Sequence, residues 1–225
     1  DLPEIKKGRD FVLERRSYFA FLLLGIIGPV NGLALPHLID KHHLALSAAG
    51  LLFFFGSMGY ITASTTYAYC QNHWDEKQLL AFGALVTTLG LALIPAMPQW
   101  SLVLGAAYLG GYGSGLIEVG FNALVAGLEP ARAKPTMNWL HFAFSIGSLS
   151  GPLIMSGLAV LSGQWSILYW TGALLFVIFA VTWLRTPLKA VLPPASKVET
   201  TIEPGRSLLG HWPFWALTLA MFIYV

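Results

Sequence analysis

The chain has 225 residues, of which 56% are hydrophobic and only 11% carry a charge. Soluble globular domains carry about 25% charged residues, so this composition excludes an ordinary water-soluble fold. The formal charge is +2, and without a basic face interleaved with polar residues we also exclude nucleic-acid binding. The mean hydropathy is +0.65, and charges separate apolar stretches of about 20 residues, the length of one membrane-crossing helix. The sequence therefore predicts an all-helical, multi-pass protein whose solvent is the lipid bilayer.

The predicted elements follow from the breaks between these stretches. Residues 1–16 are too acidic, and too long before the first apolar run, for a cleaved signal peptide, so we interpret them as a cytoplasmic segment. A six-span bundle over 17–184 follows, then a charged cytoplasmic linker over 185–210 and the start of a truncated seventh span over 211–225. The bundle is divided into span 1 (17–39), span 2 (46–69), spans 3 and 4 (from 78, divided at 95–99), a loop (127–135), and spans 5 and 6 (136–184, divided at 162–164).

Charge asymmetry predicts the orientation of the bundle. If the N-terminus is cytoplasmic, twelve Lys and Arg residues fall in inside segments, against Lys41 alone outside. The positive-inside rule therefore places the N-terminus in the cytoplasm and the chain in the cell (inner) membrane. Six spans, a long inside linker and a new span are the arrangement of one half of a twelve-helix transporter built from two six-helix halves.

One ionisable residue, Glu118, lies near the middle of predicted span 4. A carboxyl at that depth is expensive to ionise, so its charge should respond to proton supply and to nearby ligands. Ser114 and Asn122 lie one turn before and one turn after it, on the same helical face. Because intramembrane ionisable residues are functional by default, we favour a proton or solute site over a carboxyl that is hydrogen-bonded for structure alone.

Span 5 carries a second group of polar residues. Asn138, His141 and Ser145 share one helical face. This stripe fits interhelical hydrogen bonding, worth about 1 kcal/mol per contact, as well as it fits solute contact. In span 2, Tyr60 has a hydroxyl that can bond a polar solute. The candidate site residues are Glu118, Asn122, Asn31, Asn138, His141, Ser145 and Tyr60.

Span 1 contains Asn31 between two prolines, Pro29 and Pro36, at which we predict kinks. Asn31 is therefore a candidate to face a cavity. The small residues that form a packing face on this span are Gly25, Gly28 and Gly32. Spans 3 and 6 hold no ionisable side chain and are predicted to face lipid and support the other helices.

The sequence contains no pattern that indicates an enzyme or a bound cofactor. His141 and Ser145 share a face, but no carboxylate is placed to orient the histidine and no Gly-x-Ser-x-Gly elbow occurs. A Walker A motif and a dinucleotide-binding glycine pattern are also missing. With the single cysteine Cys70 and no Cys/His cluster, we expect no internal disulfide and no metal.

Three short motifs stand in spans 4 and 5, namely Glu118-Val-Gly-Phe-Asn122, Asn138-Trp-Leu-His141-Phe-Ala-Phe and Gly147-Ser-Leu-Ser-Gly151-Pro152-Leu. They resemble the signature of the fucose-permease-like sugar transporters of the major facilitator superfamily, and Asn31-Gly-Leu-Ala-Leu-Pro36-His37 resembles the end of span 1 in that group. The resemblance implies the six-helix N-terminal half of a twelve-helix fold that works by alternating access. It also implies that Glu118 lies on the cavity wall as a proton-linked or sugar-binding carboxyl, with Asn122, Asn138 and His141 nearby.

Two positions depart from that family. The residue after Asn31 is acidic in the fucose–proton symporters and is Gly32 here, so one of two coupling carboxylates is missing. The loop between spans 2 and 3 usually bears an Asp-Arg-x-Gly-Arg-Arg gating pattern. This chain reads Asn72-His73-Trp74-Asp75-Glu76-Lys77 there.

Together these observations favour a secondary carrier, monomeric when full length, that moves a small polar solute such as a sugar with a proton coupled through Glu118. Sodium is the alternative coupling ion, since Asn and Ser oxygens suit it. Two other functions stay open. A proton-driven efflux antiporter for amphipathic compounds, to which Gly147-x-x-x-Gly151-Pro152 is a partial match, predicts an aromatic-lined cavity. A non-transporting receptor or assembly protein predicts no central cavity.

Overall fold

A computed structural model describes residues 2–186 and, separately, Trp212 and Trp215, with side chains described from Asp10 onward. All regular structure in these residues is helical. The helices between 2 and 186 are α1 (Leu2–Ile27), α2 (Val30–His42), α3 (Leu46–Ala49), α4 (Leu51–Cys70), α5 (Glu76–Ala96), α6 (Trp100–Ala126), α7 (Pro130–Ser162) and α8 (Ile167–Leu184).

Six stretches of the described residues are long and apolar enough to cross a membrane. Span 1 combines α1 from Asp10 with α2, span 2 combines α3 with α4, and spans 3 to 6 are α5, α6, α7 and α8. The predicted all-helical bundle of six spans is thereby confirmed. The predicted linker from residue 187 onward and the predicted seventh span lie outside the described residues, apart from the two tryptophans.

Span 1 is interrupted once, between α1 and α2. Pro29 precedes α2 with φ −74° and ψ −10°, and a proline has no N–H to continue the helical ladder. The predicted kink at Pro29 therefore corresponds to a break. No such break occurs at Pro36, which lies inside the single helix α2. At its other end α1 begins at Leu2, so the segment predicted to precede the bundle is helical and continuous with span 1.

The predicted loop over 127–135 is wrong for most of its length, because α7 begins at Pro130. Proline suits the first turn of a helix, where its missing N–H would have no partner. The charges that suggested a loop instead join two helices. Arg132 Nη1 lies 3.2 Å from Asp10 Oδ2, and Arg132 Nη2 lies 2.8 Å from Glu14 Oε1. Thr136 Oγ1 also donates to Glu14 Oε1 at 3.3 Å, so α1 and α7 are tied at this end.

The helices pack through glycine. Both α4 and α5 pack along α6, α5 also packs on α8, and α1 packs on α7. At the α4–α6 crossing a Cβ atom on Gly111 would overlap the backbone of Gly56, and at the α5–α6 crossing a Cβ on Gly90 would lie 2.6 Å from Gly110 Cα. Small residues allow helix backbones to approach this closely, which is the main source of helix attraction in a bilayer.

The α1–α7 crossing uses Gly25 and Gly147. A Cβ built on either glycine would lie 3.0 Å from the Cα of the other. The predicted packing face on span 1 is thus correct at Gly25 and wrong at the other two positions. A Cβ on Gly32 would meet nothing within 4 Å, and one on Gly28 would meet only the carbonyl oxygens of Leu24 and Gly25.

Two lysines tie the ends of α5 to its neighbours. At the C-terminal end of α5, Lys41 Nζ donates to Pro95 O at 2.8 Å and to Met97 O at 3.1 Å. At the N-terminal end, Lys77 Nζ donates to Thr186 O at 2.8 Å, and the indole of Trp183 donates to Lys77 O at 3.0 Å. The last carbonyls of a helix have no helical partner, so a lysine that bonds them joins the elements at little cost.

Substitution of Arg132 by glutamine is expected to destabilise the bundle. Breaking a buried ion pair from one side costs about 3–5 kcal/mol, and since the Arg132 side chain is 31% exposed, we expect about 2 kcal/mol. The measurement is the midpoint of thermal unfolding in detergent. The control is Lys134→Gln, an exposed residue of the same helix, which should leave the midpoint unchanged. Equal midpoints for the two variants would contradict the role given to Arg132.

Candidate functional site

A cavity of about 410 Å³ is bounded by residues of all six spans. Its polar side chains are Asn31, Ser57, Tyr60, Thr87, Ser114 and Glu118. The rest of the wall is mostly apolar and includes the rings of Phe53, Phe144 and Phe176. Small-molecule sites commonly have volumes of about 300–1,000 Å³ and place a few polar groups on an apolar wall. The size and the lining of this cavity fit that description.

The interruption of span 1 lies on this wall. Gly28, which lies in the break, and Asn31, the second residue of α2, both line the cavity. Non-helical backbone at membrane depth is tolerated where it is buried in protein or lines a cavity. Pro29 therefore accounts for both the break and the placement of the Asn31 amide beside the cavity.

Glu118 faces the same cavity from α6 and is half-buried. Its Oε1 atom accepts a hydrogen bond of 3.0 Å from the hydroxyl of Tyr60 on α4. In the described residues no Lys, Arg or His forms an ion pair with Glu118. The carboxyl thus has one neutral donor and no compensating positive charge among the residues described.

The face of α6 that carries Glu118 contributes one more polar residue to the wall. Ser114, one turn earlier, lines the cavity and donates its hydroxyl to Gly111 O at 3.0 Å. Asn122, one turn later, lies off the cavity wall. Its Oδ1 atom is buried and has no hydrogen-bond partner in the described part of the chain. The predicted shared face therefore reaches the cavity at Ser114 and Glu118 only.

Asn31 is held by a residue that the sequence did not single out. The hydroxyl of Tyr169 on α8 donates to Asn31 Oδ1 at 3.0 Å. Tyr169 is completely buried, whereas Asn31 is half-buried on the cavity wall. The sequence gave no sign of this contact, because a tyrosine in a membrane span more often packs than binds.

The polar stripe of span 5 lies away from the cavity. Asn138, His141 and Ser145 are exposed in the described bundle and do not line the wall. The His141 ring packs edge-on against Phe21 with centroids 5.7 Å apart, and Ser145 Oγ donates to His141 O at 3.0 Å. From this helix it is Phe144 that reaches the wall.

Spans 3 and 6 expose apolar side chains such as Leu85 and Leu174, as predicted for helices that face lipid, but they are not only supports. Thr87 of α5 and Phe176 of α8 both line the cavity. Thr87 is 2% exposed, and its hydroxyl donates to Gly83 O at 2.9 Å, within its own helix. A threonine bonded to its own helix is equally compatible with lipid, so no signal in the sequence distinguished the two environments.

No metal centre is visible in the residues described. Over that part of the chain no three His, Cys, Asp or Glu side chains lie close enough together to hold a metal ion. The cavity wall presents hydroxyl, amide and carboxyl groups among apolar side chains, and such groups can bind a polar solute by hydrogen bonds.

Comparison with known proteins identifies the family. The sequence profile of the Major Facilitator Superfamily matches residues 17–225. The chain belongs to the major facilitator superfamily. The sodium-dependent glucose transporter 1A of Mus musculus is 27% identical over 137 residues, which cover 61% of this chain and 32% of that protein. The glucose/mannose transporter GlcP of Bacillus subtilis (strain 168) is 23% identical over 168 residues, which cover 75% of this chain and 41% of that protein.

The fold agrees with a solved member of this superfamily. The crystal structure of D-xylose-proton symporter matches with a TM-score of 0.63 at 18% identity, over 95% of this chain and 51% of that one. The chain spans about a third to a half of the length of these three proteins. This major facilitator chain is therefore the six-helix N-terminal half of the fold, as the sequence predicted.

The loop between spans 2 and 3 has its own contacts in this major facilitator chain. Asp75 caps the start of α5 by accepting from Lys77 N at 3.0 Å. The hydroxyl of Tyr67 lies 2.9 Å from both carboxylate oxygens of Glu76. With the contacts of Lys77 to α8, this loop is fixed to spans 2 and 6 without the arginine-rich pattern expected from the family resemblance.

Proposed function

We propose that this chain is the N-terminal half of a secondary carrier that moves a sugar by alternating access, with a proton coupled through Glu118. The observation that carries the proposal is the position of Glu118 on the cavity wall, half-buried and hydrogen-bonded only to a neutral hydroxyl among the described residues. In its protonated form such a carboxyl is neutral and can carry the coupled proton. In its ionised form it accepts hydrogen bonds from the donors of a polar solute.

The sugar assignment rests on the relatives and on the wall. Both relatives described above are named as glucose transporters, and the matched solved structure is a xylose–proton symporter. The wall presents acceptors and donors at Glu118, Asn31 and Ser114. Sugar hydroxyls both donate and accept hydrogen bonds, so they match a wall with both kinds of group.

The orientation and location follow the charge asymmetry of the sequence. We infer a multi-pass protein of the cell membrane with a cytoplasmic N-terminus. Labelling of a cysteine introduced at the exposed residue Gln71 or Gln164, which lie at opposite ends of the bundle spans, tests this in whole cells. A membrane-impermeant thiol reagent should label the residue 164 variant alone, in a background with Cys70 replaced by alanine. Labelling of the residue 71 variant alone would reverse the orientation.

The experiment that tests the carrier uses the full-length protein in proteoliposomes. An inward proton gradient should drive uptake of radiolabelled D-glucose above the level reached without a gradient. The 225-residue chain alone should show no uptake, since alternating access needs two halves. Uptake driven by a sodium gradient but not by a proton gradient would overturn the proton part of the proposal, and no sugar uptake under either gradient would overturn the sugar part.

A second function is favoured by the aromatic rings on the wall. Phe53, Phe144 and Phe176 line the cavity, and an aromatic-lined cavity suits amphipathic compounds. This is the proton-driven efflux antiporter. It predicts that ethidium, added to the same proteoliposomes, dissipates the proton gradient, whereas glucose does not. A non-transporting receptor predicts a bundle without a central cavity, and the cavity beside Glu118 argues against it.

Removing the Tyr60 hydroxyl is expected to weaken sugar binding. Tyr60→Phe takes away the hydrogen bond to Glu118 and leaves the ring in place, which should weaken binding about tenfold. The measurement is the dissociation constant of glucose by calorimetry. Tyr67→Phe is the matched control, since Tyr67 lies two turns along the same helix and bonds Glu76 away from the cavity. The Tyr67→Phe variant should lower the stability of the protein without changing its affinity for glucose. Equal losses of glucose affinity in the two variants would contradict the role of Tyr60.

A further inference from the structure

Tyr169 is a buried hydrogen-bond donor with one described acceptor. It is completely buried in α8, and a buried phenol proton without an acceptor is costly. Its acceptor is Asn31 Oδ1 at 3.0 Å. If the Asn31 amide were turned around, its NH₂ group would donate to the phenol oxygen, and the phenol proton would lose that acceptor. The contact therefore selects one orientation of the amide, with Oδ1 toward Tyr169.

The selected orientation determines what Asn31 offers to the cavity. An asparagine side chain has an acceptor end and a donor end. With Oδ1 turned to Tyr169, the Nδ2 protons are the part left for a solute, and Asn31 lines the cavity wall. Glu118 offers the opposite chemistry on the same wall, because a carboxylate only accepts.

The position of Tyr169 is set by packing outside the cavity. Its ring stands edge-on to Trp165 with centroids 6.2 Å apart, and Trp165 stacks on His37 at 6.0 Å. Tyr169 itself is not part of the cavity wall. A side chain held in this way fixes its partner before a solute arrives, which is the usual condition for a selective polar contact.

We propose that Tyr169 is a positioning residue that fixes the Asn31 amide as a hydrogen-bond donor, so that the site selects sugars with an acceptor oxygen at one ring position. The inference rests on the proposed function and goes beyond it. A fixed donor and a fixed acceptor on one wall can distinguish two hydroxyls of the same sugar. Asn31 recognises one hydroxyl through the lone pair of its oxygen. Glu118 recognises the other hydroxyl through its proton.

Deoxy and fluoro sugars separate these two kinds of recognition. A fluorine keeps a weak acceptor but has no proton, whereas a deoxy position has neither. The probes are D-glucose with its monodeoxy and monofluoro analogues, and the measurement is displacement of labelled glucose from the full-length protein. For the wild type we expect one ring position at which the fluoro analogue binds about threefold or more tightly than the deoxy analogue.

Tyr169→Phe should remove this preference. Freed of the phenol, the amide can turn, so we expect the fluoro-to-deoxy affinity ratio at that position to fall to about one and glucose to bind about two- to tenfold more weakly. The maximal transport rate at saturating glucose should change less than the affinity. Asn31→Asp is the second variant, because its carboxylate can accept from Tyr169 but cannot donate, and it should lose the same ratio.

Tyr112→Phe is the matched control. Tyr112 bonds Thr66 Oγ1 at 3.2 Å and does not line the cavity, so this variant should keep the wild-type ratio. A wild-type ratio retained in Tyr169→Phe would overturn the positioning role while sugar binding stands, and a ratio retained in Asn31→Asp would overturn the role of the Asn31 amide as donor. A wild-type protein that binds none of the sugars would overturn the proposed function, and this inference with it.

Discussion

Replacing Glu118 by glutamine is expected to abolish uphill transport. Glutamine keeps the size and polarity of the side chain but cannot gain or lose a proton in the relevant range. With a gradient of one pH unit, coupling of one proton allows about tenfold accumulation of solute. We expect the wild type to approach that ratio in proteoliposomes and Glu118→Gln to stop at equal concentrations inside and outside, while exchange of labelled for unlabelled sugar continues.

Glu76→Gln is the matched control for this prediction. Like Glu118, Glu76 is a half-buried carboxyl that accepts a hydrogen bond from a tyrosine. Unlike Glu118, it lies at the start of its span and does not line the cavity. Its substitution should leave the accumulation ratio unchanged, even if it lowers the yield of folded protein. Should Glu118→Gln accumulate sugar as the wild type does, or should both variants lose accumulation equally, coupling through Glu118 would have to be abandoned.

Adding a single methyl group to Gly147 is expected to destabilise the bundle more than any other change discussed above. In Gly147→Ala the new Cβ would lie 2.9 Å from Ile26 N and 3.0 Å from Gly25 Cα, and it would overlap Leu22 O. These contacts are backbone atoms of α1, so the two helices must separate. We expect a loss of about 3 kcal/mol, within the range for overpacking a close contact, and a large fall in the fraction of monodisperse protein in size-exclusion chromatography.

Gly157→Ala makes the same chemical change in the same helix with the opposite expected sign. A Cβ at Gly157 would meet nothing within 4 Å. Alanine is more favourable than glycine in a helix by up to about 1 kcal/mol, so this variant should unfold at the same temperature as the wild type or slightly above it. If the Gly147→Ala variant unfolded at the same temperature as the Gly157→Ala variant, α1 and α7 would not cross as described.

The sequence predicted the spans well because each one is long and apolar and ends at a charged segment or at an uncharged turn that contains proline or glycine. It failed where charges serve contacts between helices. Arg132 was interpreted as part of a loop, yet it lies in the first turn of α7 and binds Asp10 and Glu14 of α1. A local pattern cannot tell a charge that faces water from one that meets a partner more than a hundred residues away.

The candidate site was predictable only in part, because the sequence shows which side chains are costly in a membrane but not which helices meet. A carboxyl at membrane depth needs a cavity or a partner, and Glu118 has both, the cavity and Tyr60. Helical spacing showed which residues share a face but not which neighbour that face meets. In α7 the packed face carries Gly147, while the stripe with His141 is turned away from the cavity. Thr87 and Tyr169 gave no signal because neither side chain carries a charge at neutral pH.

The lysine contacts at the two ends of α5 bear on how such a half can move. Lys41 joins α2 to the C-terminal end of α5, and Lys77 joins the N-terminal end of α5 to Thr186, two residues after the end of α8. With spans 1, 3 and 6 clamped in this way, bending one of them alone would break charged contacts at its end. If this half tilts, spans 1, 3 and 6 are therefore expected to move as one rigid group. The distances between these three spans across the cavity should then stay unchanged.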